Sequence, residues 1–342
     1  MNSAGQIVGI SPGAGVAGGE IVIDCAGFDT SNPTVCAVWI DAVRAPIVAL
    51  SPKRVVAVVP DLKKSGIVAV ALECAGERSE SADFIVGKKL AEDLHPVTNP
   101  AFDPDDKSLF VTRSGSRGER LPVSLFRIET GGEVSEYSGD IANPTAIAFD
   151  PTGQMYVSSR LDGTVYRVSA FREAQPFARN LGIATGIAFS SDGTMYVGDR
   201  TGTIYQVNSI GEAQEWAQLE PSVSAYHLAV GPDDALYVTG PTVSSFDSIY
   251  RVDQSGDAET FYKGLGRPQG LAFDTDGNLY VVASLKGRRG VVRVSPDGTQ
   301  AEVFVAGMNF VGLAFGPDGE MAIASIEAVF NVPLGITGVL LS

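Results

Sequence analysis

A phrase made of two apolar runs joined by an acidic turn recurs six times along this chain. Its spacing constrains the fold more than any other feature. At Pro268 it reads PQGLAFDTDGNLYVVAS. Related copies begin at Pro144 (PTAIAFDPTGQMYVSS), Ala184 (ATGIAFSSDGTMYVGD), Ala225 (AYHLAVGPDDALYVTG) and Phe310 (FVGLAFGPDGEMAIAS), and a worn copy, TNPAFDPDDKSLFVTRS, begins at Thr98. Aligned on Phe102, Phe149, Phe189, Val230, Phe273 and Phe315, the copies lie 47, 40, 41, 43 and 42 residues apart.

A period of about 40–45 residues with several strands in each repeat is that of a β-propeller. Beyond the two strands of the phrase, each repeat carries a third run (LFRI, VYRV, IYQV, IYRV, VVRV, VFNV) and a fourth (EVSEYS, AQPFA, AQEWA, AETFY, AEVFV). The apolar runs do not alternate cleanly with polar residues, as expected where stacked sheets bury both faces. Ala148, Ala188, Ala229, Ala272 and Ala314 place a small residue where strands crowd an axis. The last copy lacks a matching fourth run, because ITGVLLS does not fit the pattern. KKLAEDLHP does fit, with Leu90 at the position of Tyr137, Phe177, Trp216, Phe261 and Phe304. This segment is therefore expected to complete the last blade and close the ring, which removes exposed sheet edges.

Upstream, residues Ile7 to Val86 hold short β-rich runs (EIVID, TVCAVWI, PIVAL, RVVAVVP, GIVAVALE, SADFIV) punctuated by Gly, Pro, Asp and Asn. Such spacing without helical period suggests a small β-sandwich. Pro12, Gly18, Gly19, Gly27, Phe28 and Pro60 give this stretch a pattern that resembles the IPT/TIG domain, an immunoglobulin-like module that serves as a spacer or contact surface. The expected fold is thus all-β, an immunoglobulin-like β-sandwich over 1–87 followed by a six-bladed β-propeller over 88–342. Gly87–Lys89 is the expected junction, and the ring is expected to fold without a strand from the first domain.

Composition narrows the partners. The net charge of −15 argues against nucleic acid or anionic membranes, which are bound by Lys and Arg. No run approaches the roughly 18 apolar residues that span a bilayer. MNSAGQIVGISPG lacks a basic region followed by an apolar core, so no signal peptide is expected. The cytoplasm is then the default compartment, and an exported mature form stays open. Cys25, Cys36 and Cys74 form no C-x-x-C pair, and with two histidines in all they offer few zinc ligands. They are read as buried thiols, or else as a Cys25–Cys36 or Cys25–Cys74 disulfide.

The phrase PxGLAFDxDGNLYV resembles the NHL, SMP-30/gluconolactonase and strictosidine-synthase-like group of six-bladed propellers. Virginiamycin-B-lyase-like propellers use a similar phrase. In such a fold the acidic turns share one face; their Asp and Gly are read as tight-turn residues rather than a calcium loop. The other face collects the starts of the first strands, at Thr98, Thr145, Thr185, Tyr226, Gln269 and Val311. In gluconolactonases, Asn and Asp at these starts, with a Glu, bind a divalent metal that activates water. Here the ring is neutral. Asn143 and Asn309 stand one step outwards and Asn99 one step inwards, so no metal site is expected.

His95 and His227 map near this face and could supply a general base. The second-to-third-strand loops carry Arg113, Arg117, Arg120, Arg160, Arg200, Lys286, Arg288 and Arg289, interspersed with Glu119, Asp162, Asp199 and Asp247, which are expected to pair with them. Arg127, Arg167, Arg251 and Arg293 repeat on the third strands and are read as packing between blades.

The preferred function is a non-catalytic ligand-binding or scaffold propeller. Its partner would be a small molecule, glycan or peptide at the axis, bound by Thr98, Thr145, Thr185, Tyr226, His227, Gln269, Arg160 and Arg200 without a cofactor. The alternative is a gluconolactonase-like hydrolase with an altered calcium or zinc site; a further alternative is a lyase that uses His227. No oligomeric state follows from the sequence.

Overall fold

The computed structural model describes residues 5–113, 121–138 and 140–339. Arg117, Glu119, Arg120 and the last three residues of ITGVLLS lie outside the described residues. Among the described residues the chain is built from β-strands, with one 3-10 turn at Pro33–Val35. Among the described residues no helix is long and apolar enough to cross a membrane.

From Lys88 onwards the strands fall into antiparallel groups of four, two of them merged into a larger sheet. Unit 1 is Ala101–Phe102, Leu109–Thr112, Leu125–Ile128 and Val134–Ser138. Unit 2 is Pro144–Phe149, Met155–Ser159, Thr164–Val168 and Ala174–Ala178. Unit 3 is Ala184–Phe189, Met195–Asp199, Thr203–Val207 and Ala213–Gln218. Unit 4 is His227–Val230, Leu236–Thr239, Asp247–Val252 and Ala258–Gly266. Unit 5 is Leu271–Phe273, Leu279–Leu285, Arg288–Val294 and Ala301–Ala306. Unit 6 is Phe310–Phe315, Glu320–Ser325, Ala328–Pro333 and, from the start of the region, Lys88–Glu92. Lys88 pairs with Asn331 and Glu92 with Ala328, so KKLAE takes the place its pattern assigned.

The repeated aromatics explain why the units stack. Phe110 of unit 1 meets Tyr137 of its own fourth strand and Phe149 of unit 2, both edge to face. Tyr156, Tyr237 and Tyr280 repeat the arrangement with Phe177 and Phe189, Phe261 and Phe273, and Phe304 and Phe315. In these four units the second-strand ring ties its own outer strand to the next unit, a geometry that adds to simple area burial; among the described residues the only ring that Tyr196 of unit 3 meets is its own Trp216. At the inner strands, glycine permits close approach. A Cβ at Gly312 would collide with the Asn99 backbone, and one at Gly186 would lie 2.7 Å from the Tyr226 carbonyl oxygen.

Three of the third-strand arginines, Arg127, Arg251 and Arg293, act within units rather than between them. Arg127 pairs with Asp106 at 2.6 Å and Arg251 with Asp233 at 2.8 Å, each acid lying in the first turn of the same unit. Arg293 pairs with Glu302 on the neighbouring fourth strand and lies over the Phe304 ring. The acidic turns work as expected of local caps. Asp150 Oδ1, for example, accepts from the N–H groups of Thr152 and Gln154.

The N-terminal region packs two sheets around one core. One sheet runs Gln6–Ser11, Glu20–Ala26, Arg54–Val58, Ile47–Ser51; the other contains Ala14–Gly15, Ala82–Val86, Gly66–Cys74, Cys36–Ile40 and Val43–Ala45. Ile21, Ile23, Val38, Ile40, Val55, Val70, Leu72 and Phe84 fill the space between. Alternating burial along Glu20–Ala26 and Cys36–Ile40 is what one buried face per sheet requires.

Two expectations are corrected here. Unit 5 does borrow a strand from the first domain: Ala14–Gly15 runs parallel to both Ala82–Val86 and Ala301–Ala306, joining the N-terminal sheet to the outer edge of unit 5. The Val16 N–H donates to the Ala306 carbonyl at 3.0 Å. A Cβ at Gly19 would lie 2.6 Å from the Ala306 carbonyl carbon, so glycine is needed for this contact. The cysteines are also paired otherwise than expected. Cys36 and Cys74 face each other in register on adjacent strands, 4.1 Å apart at Cα, and form a disulfide. Cys25 is the buried free thiol, its pKa raised by burial and by the Asp24 charge.

Candidate ligand-binding site

The strand starts expected to bind a ligand are buried and largely occupied by one another. Thr98 Oγ1 donates to the Thr145 carbonyl at 2.7 Å. Thr185 Oγ1 donates to the Gly198 carbonyl at 3.1 Å and accepts from the Tyr226 N–H at 3.0 Å. The Tyr226 hydroxyl donates to the Glu220 carbonyl, and burial pushes its pKa upwards. These side chains link neighbouring units. Thr145 Oγ1, Asn143 Oδ1 and His227 Nε2 are buried and have no hydrogen-bond partner among the described residues.

His227 is fully enclosed, and burial pushes its pKa down to about 4. It is a neutral imidazole at physiological pH, and among the described residues no charged side chain shifts it or orients it for proton transfer. His95 is exposed, with Nδ1 3.2 Å from the Ile326 carbonyl. Arg160 and Arg200 are half-buried at the expected face. Burial, and then the Arg200 charge, lowers the Arg160 pKa.

A cavity of about 820 Å³ opens over units 4, 5 and 6 on the same face. Gln269 lines it, alone among the eight residues expected to bind a ligand. Its Nε2 lies 3.4 Å from the Phe310 carbonyl, and its backbone N–H donates to the Val282 carbonyl at 2.8 Å. The walls come from the loop after Leu236–Thr239, from the turns before Leu271–Phe273 and Phe310–Phe315, and from the ends of the long second and third strands of unit 5. Val282, Ala283 and Phe310 supply apolar surface; Ser245, Ser284 and Asn309 supply polar groups. Arg267 and Arg289 are its two charged residues, and no Asp, Glu, His, Cys, Lys or Tyr of the described residues lines it.

The loop acids mostly hold backbone. Asp199 Oδ1 accepts from the N–H groups of Ile183 and Thr201, both at 3.0 Å, joining two loops of unit 3. Asp247 does the same at the cavity: Oδ1 accepts from Thr242 N–H and Oγ1, and Oδ2 from the Arg267 N–H. Asp162 accepts from the Tyr166 hydroxyl at 2.6 Å. Among the cations, Arg288 donates to the Ser11 carbonyl at 2.6 Å and so helps hold the N-terminal region in place.

Arg289 and Asn309 stood among the sequence candidates, whereas Arg267, Thr242, Ser245 and Ser284 did not. Arg267 had a signal: it fills the position before the phrase where two other copies have Asn143 and Asn309, and all three adopt positive φ (50°, 46° and 57°). Ser284 closes the repeated phrase, where a terminal Ser also stands in the copies that end at Ser159 and Ser325, whereas Ser245 lies outside the phrase and had no signal.

A divalent metal of the gluconolactonase kind does not fit the residues present. Asn99 spends its carboxamide on the Leu271 carbonyl (3.2 Å) and the Leu313 N–H (3.1 Å). Hydroxyls and single amides remain, poor replacements for carboxylates around a dication. Among the described residues no three His, Cys, Asp or Glu gather in one place.

Fold and site together define an all-β, propeller-like protein with a polar cavity on its loop face. No protein-family model and no curated protein sequence matches the chain. Solved structures of similar shape include the following three, all below 25% identity. A protein provisionally described as a gluconolactonase aligns at TM-score 0.61 and 16% identity, over 74% of this chain and 93% of that one. An auxiliary nutrient binding protein from Bacteroides thetaiotaomicron aligns at 0.55 and 13%, over 96% and 98%. Virginiamycin B lyase from Staphylococcus aureus aligns at 0.53 and 14%, over 87% and 98%. These likenesses describe the fold.

Proposed function

We propose that this chain is a non-catalytic ligand-binding protein and that the cavity over units 4 to 6 is its binding site. The observation that carries this reading is the lining: polar donors, an apolar wall and two arginines, with no group that could serve as a general base near neutral pH. The volume falls within the roughly 300–1,000 Å³ usual for small-molecule sites. In this reading the six four-stranded units are blades of one propeller. The pairing of Lys88–Glu92 with unit 6 and the sequential stacking of inner strands support it. The N-terminal sheets are read as an IPT/TIG-like, immunoglobulin-type module over 1–87 that spaces or docks the ring. The Cys36–Cys74 disulfide supports an oxidising compartment, hence an exported protein.

Thermal-shift screening of saccharides, peptides and small acids tests the reading, with Ser245→Trp as the cavity-blocking variant. A ligand class that raises Tm of the native protein and not of the variant is the expected result. Lactone turnover that vanishes with chelator and returns with calcium, zinc or manganese would instead establish the gluconolactonase alternative. Cleavage of a streptogramin B that His227→Ala abolishes would establish the lyase.

A further inference from the structure

The cavity is cationic in an acidic protein. The chain has 40 Asp and Glu against 25 Lys and Arg. Three of the third-strand arginines are paired: Arg127 with Asp106, Arg251 with Asp233 and Arg293 with Glu302. Arg267 and Arg289 differ from these three, and they share one concave site. Both are exposed, both line the cavity, and among the described residues neither forms an ion pair with a carboxylate. The nearest buried acid that the loops share, Asp247, has both oxygens occupied by Thr242 and the Arg267 backbone, so the Arg267 guanidinium is left to the cavity.

Two unpaired guanidiniums in a concave site suit an oxyanion, because the planar fork matches carboxylate, sulfate or phosphate with two parallel hydrogen bonds. The rest of the lining describes the body of the ligand. Ser245, Ser284 and Asn309 offer hydroxyl and carboxamide groups, which suit a molecule rich in hydroxyls. Val282 and Phe310 offer a limited apolar surface for C–H faces.

Resting on the reading of this cavity as the ligand site, we infer that it selects a polyhydroxylated acid, a carboxylated or sulfated saccharide, with its anionic group held by Arg267 and Arg289. Selectivity comes from the charge pair, and shape and hydroxyl contacts are shared with neutral sugars.

Isothermal titration with matched pairs tests this. The probes are trigalacturonic acid against its neutral methyl ester, and a sulfated against an unsulfated chondroitin disaccharide. The proteins are the full chain, Ser245→Trp, Arg267→Gln/Arg289→Gln, and Arg167→Gln as an exposed cation outside the cavity. At least one acid should bind tenfold or more tightly than its neutral partner. The double variant should erase that difference, Arg167→Gln should keep it, and added salt should weaken the acid alone. The single variants Arg267→Gln and Arg289→Gln carry the same readout if the double variant melts early. Neutral partners that bind as well as the acids, with both blocked in Ser245→Trp, would overturn the anion inference and leave the cavity reading standing. Binding that Ser245→Trp leaves unchanged would overturn both. Acids that show no preference over their neutral partners in either pair would also sink the inference. Carboxylate and sulfate arms separate the two sources of charge.

Discussion

The buried carboxylate of Asp247 holds the backbone of Arg267, whose N–H lies 3.3 Å from Oδ2. Its other oxygen holds Thr242 through N–H and hydroxyl, at 3.1 and 2.6 Å. One side chain thus fixes two walls of the cavity, including a residue at positive φ that few side chains adopt readily. Asp247→Ala leaves those donors without their acceptor and should cost about 3 kcal/mol of stability. It should also weaken ligand binding well beyond that loss, since Arg267 would no longer be positioned. Asp247→Asn keeps one acceptor and should fall between. Denaturant melts alongside titrations separate the two effects; a destabilised Asp247→Ala variant with native affinity would refute the positioning role.

Stability should decline in acid because of His227. Its pKa is pushed down to about 4 in the folded chain, against an ordinary value near 6.5, so protons bind the unfolded chain first. The neutral-imidazole contribution is complete above about pH 6.5 and is lost as pH falls towards 4. The shift corresponds to about 3 kcal/mol. Carboxylates titrate in the same window, so the readout is a difference. Melting curves between pH 7 and pH 4 should be flatter for His227→Leu than for the native protein, and parallel curves would show that His227 is solvated.

Thiol counting checks the cysteines. Denatured, unreduced protein should show one reactive thiol, Cys25, and three after reduction. Replacing Cys74 by Ser should lower stability by about 2–4 kcal/mol, the usual scale for closing a loop of this kind. Ligand affinity should be unchanged, because the disulfide lies in the N-terminal sheets. Three thiols without reductant would remove the argument for an oxidising compartment.

A fragment of residues 88–342 should fold but associate. Removing Ala14–Gly15 bares the Ala301–Ala306 edge of unit 5, and unpaired strand edges recruit other strands. Sedimentation should show concentration-dependent oligomers for the fragment that are absent from the full chain. Monomers at all concentrations would mean that the edge is protected without the N-terminal region. Replacing Gly19 by Val in the full chain should mimic this partly, by pushing the Ala306 contact apart.

Periodicity alone made the repeated units legible. Phe149, Phe189, Phe273 and Phe315 recur at one position, where Val230 replaces the ring in unit 4, and the Phe110–Tyr137–Phe149 cluster shows the contact that the repeat encodes. The strand at Lys88–Glu92 was readable for the same reason, from a pattern missing at one end and present at the other. Tertiary structure decided everything that breaks the repeat. Ala14–Gly15 pairs with unit 5 through backbone hydrogen bonds, which have no side-chain signature. Cys36 meets Cys74 because a strand register places them opposite each other, and spacing in sequence does not specify register. The strand-start residues Thr98, Thr185 and Tyr226 look like free polar groups in the sequence, yet crowding at the inner strands makes them donors to neighbouring carbonyls. The cavity instead gathers Arg267 and Asn309 from two turns and Ser284 from a strand end, and only the way three units pack could bring them to one wall.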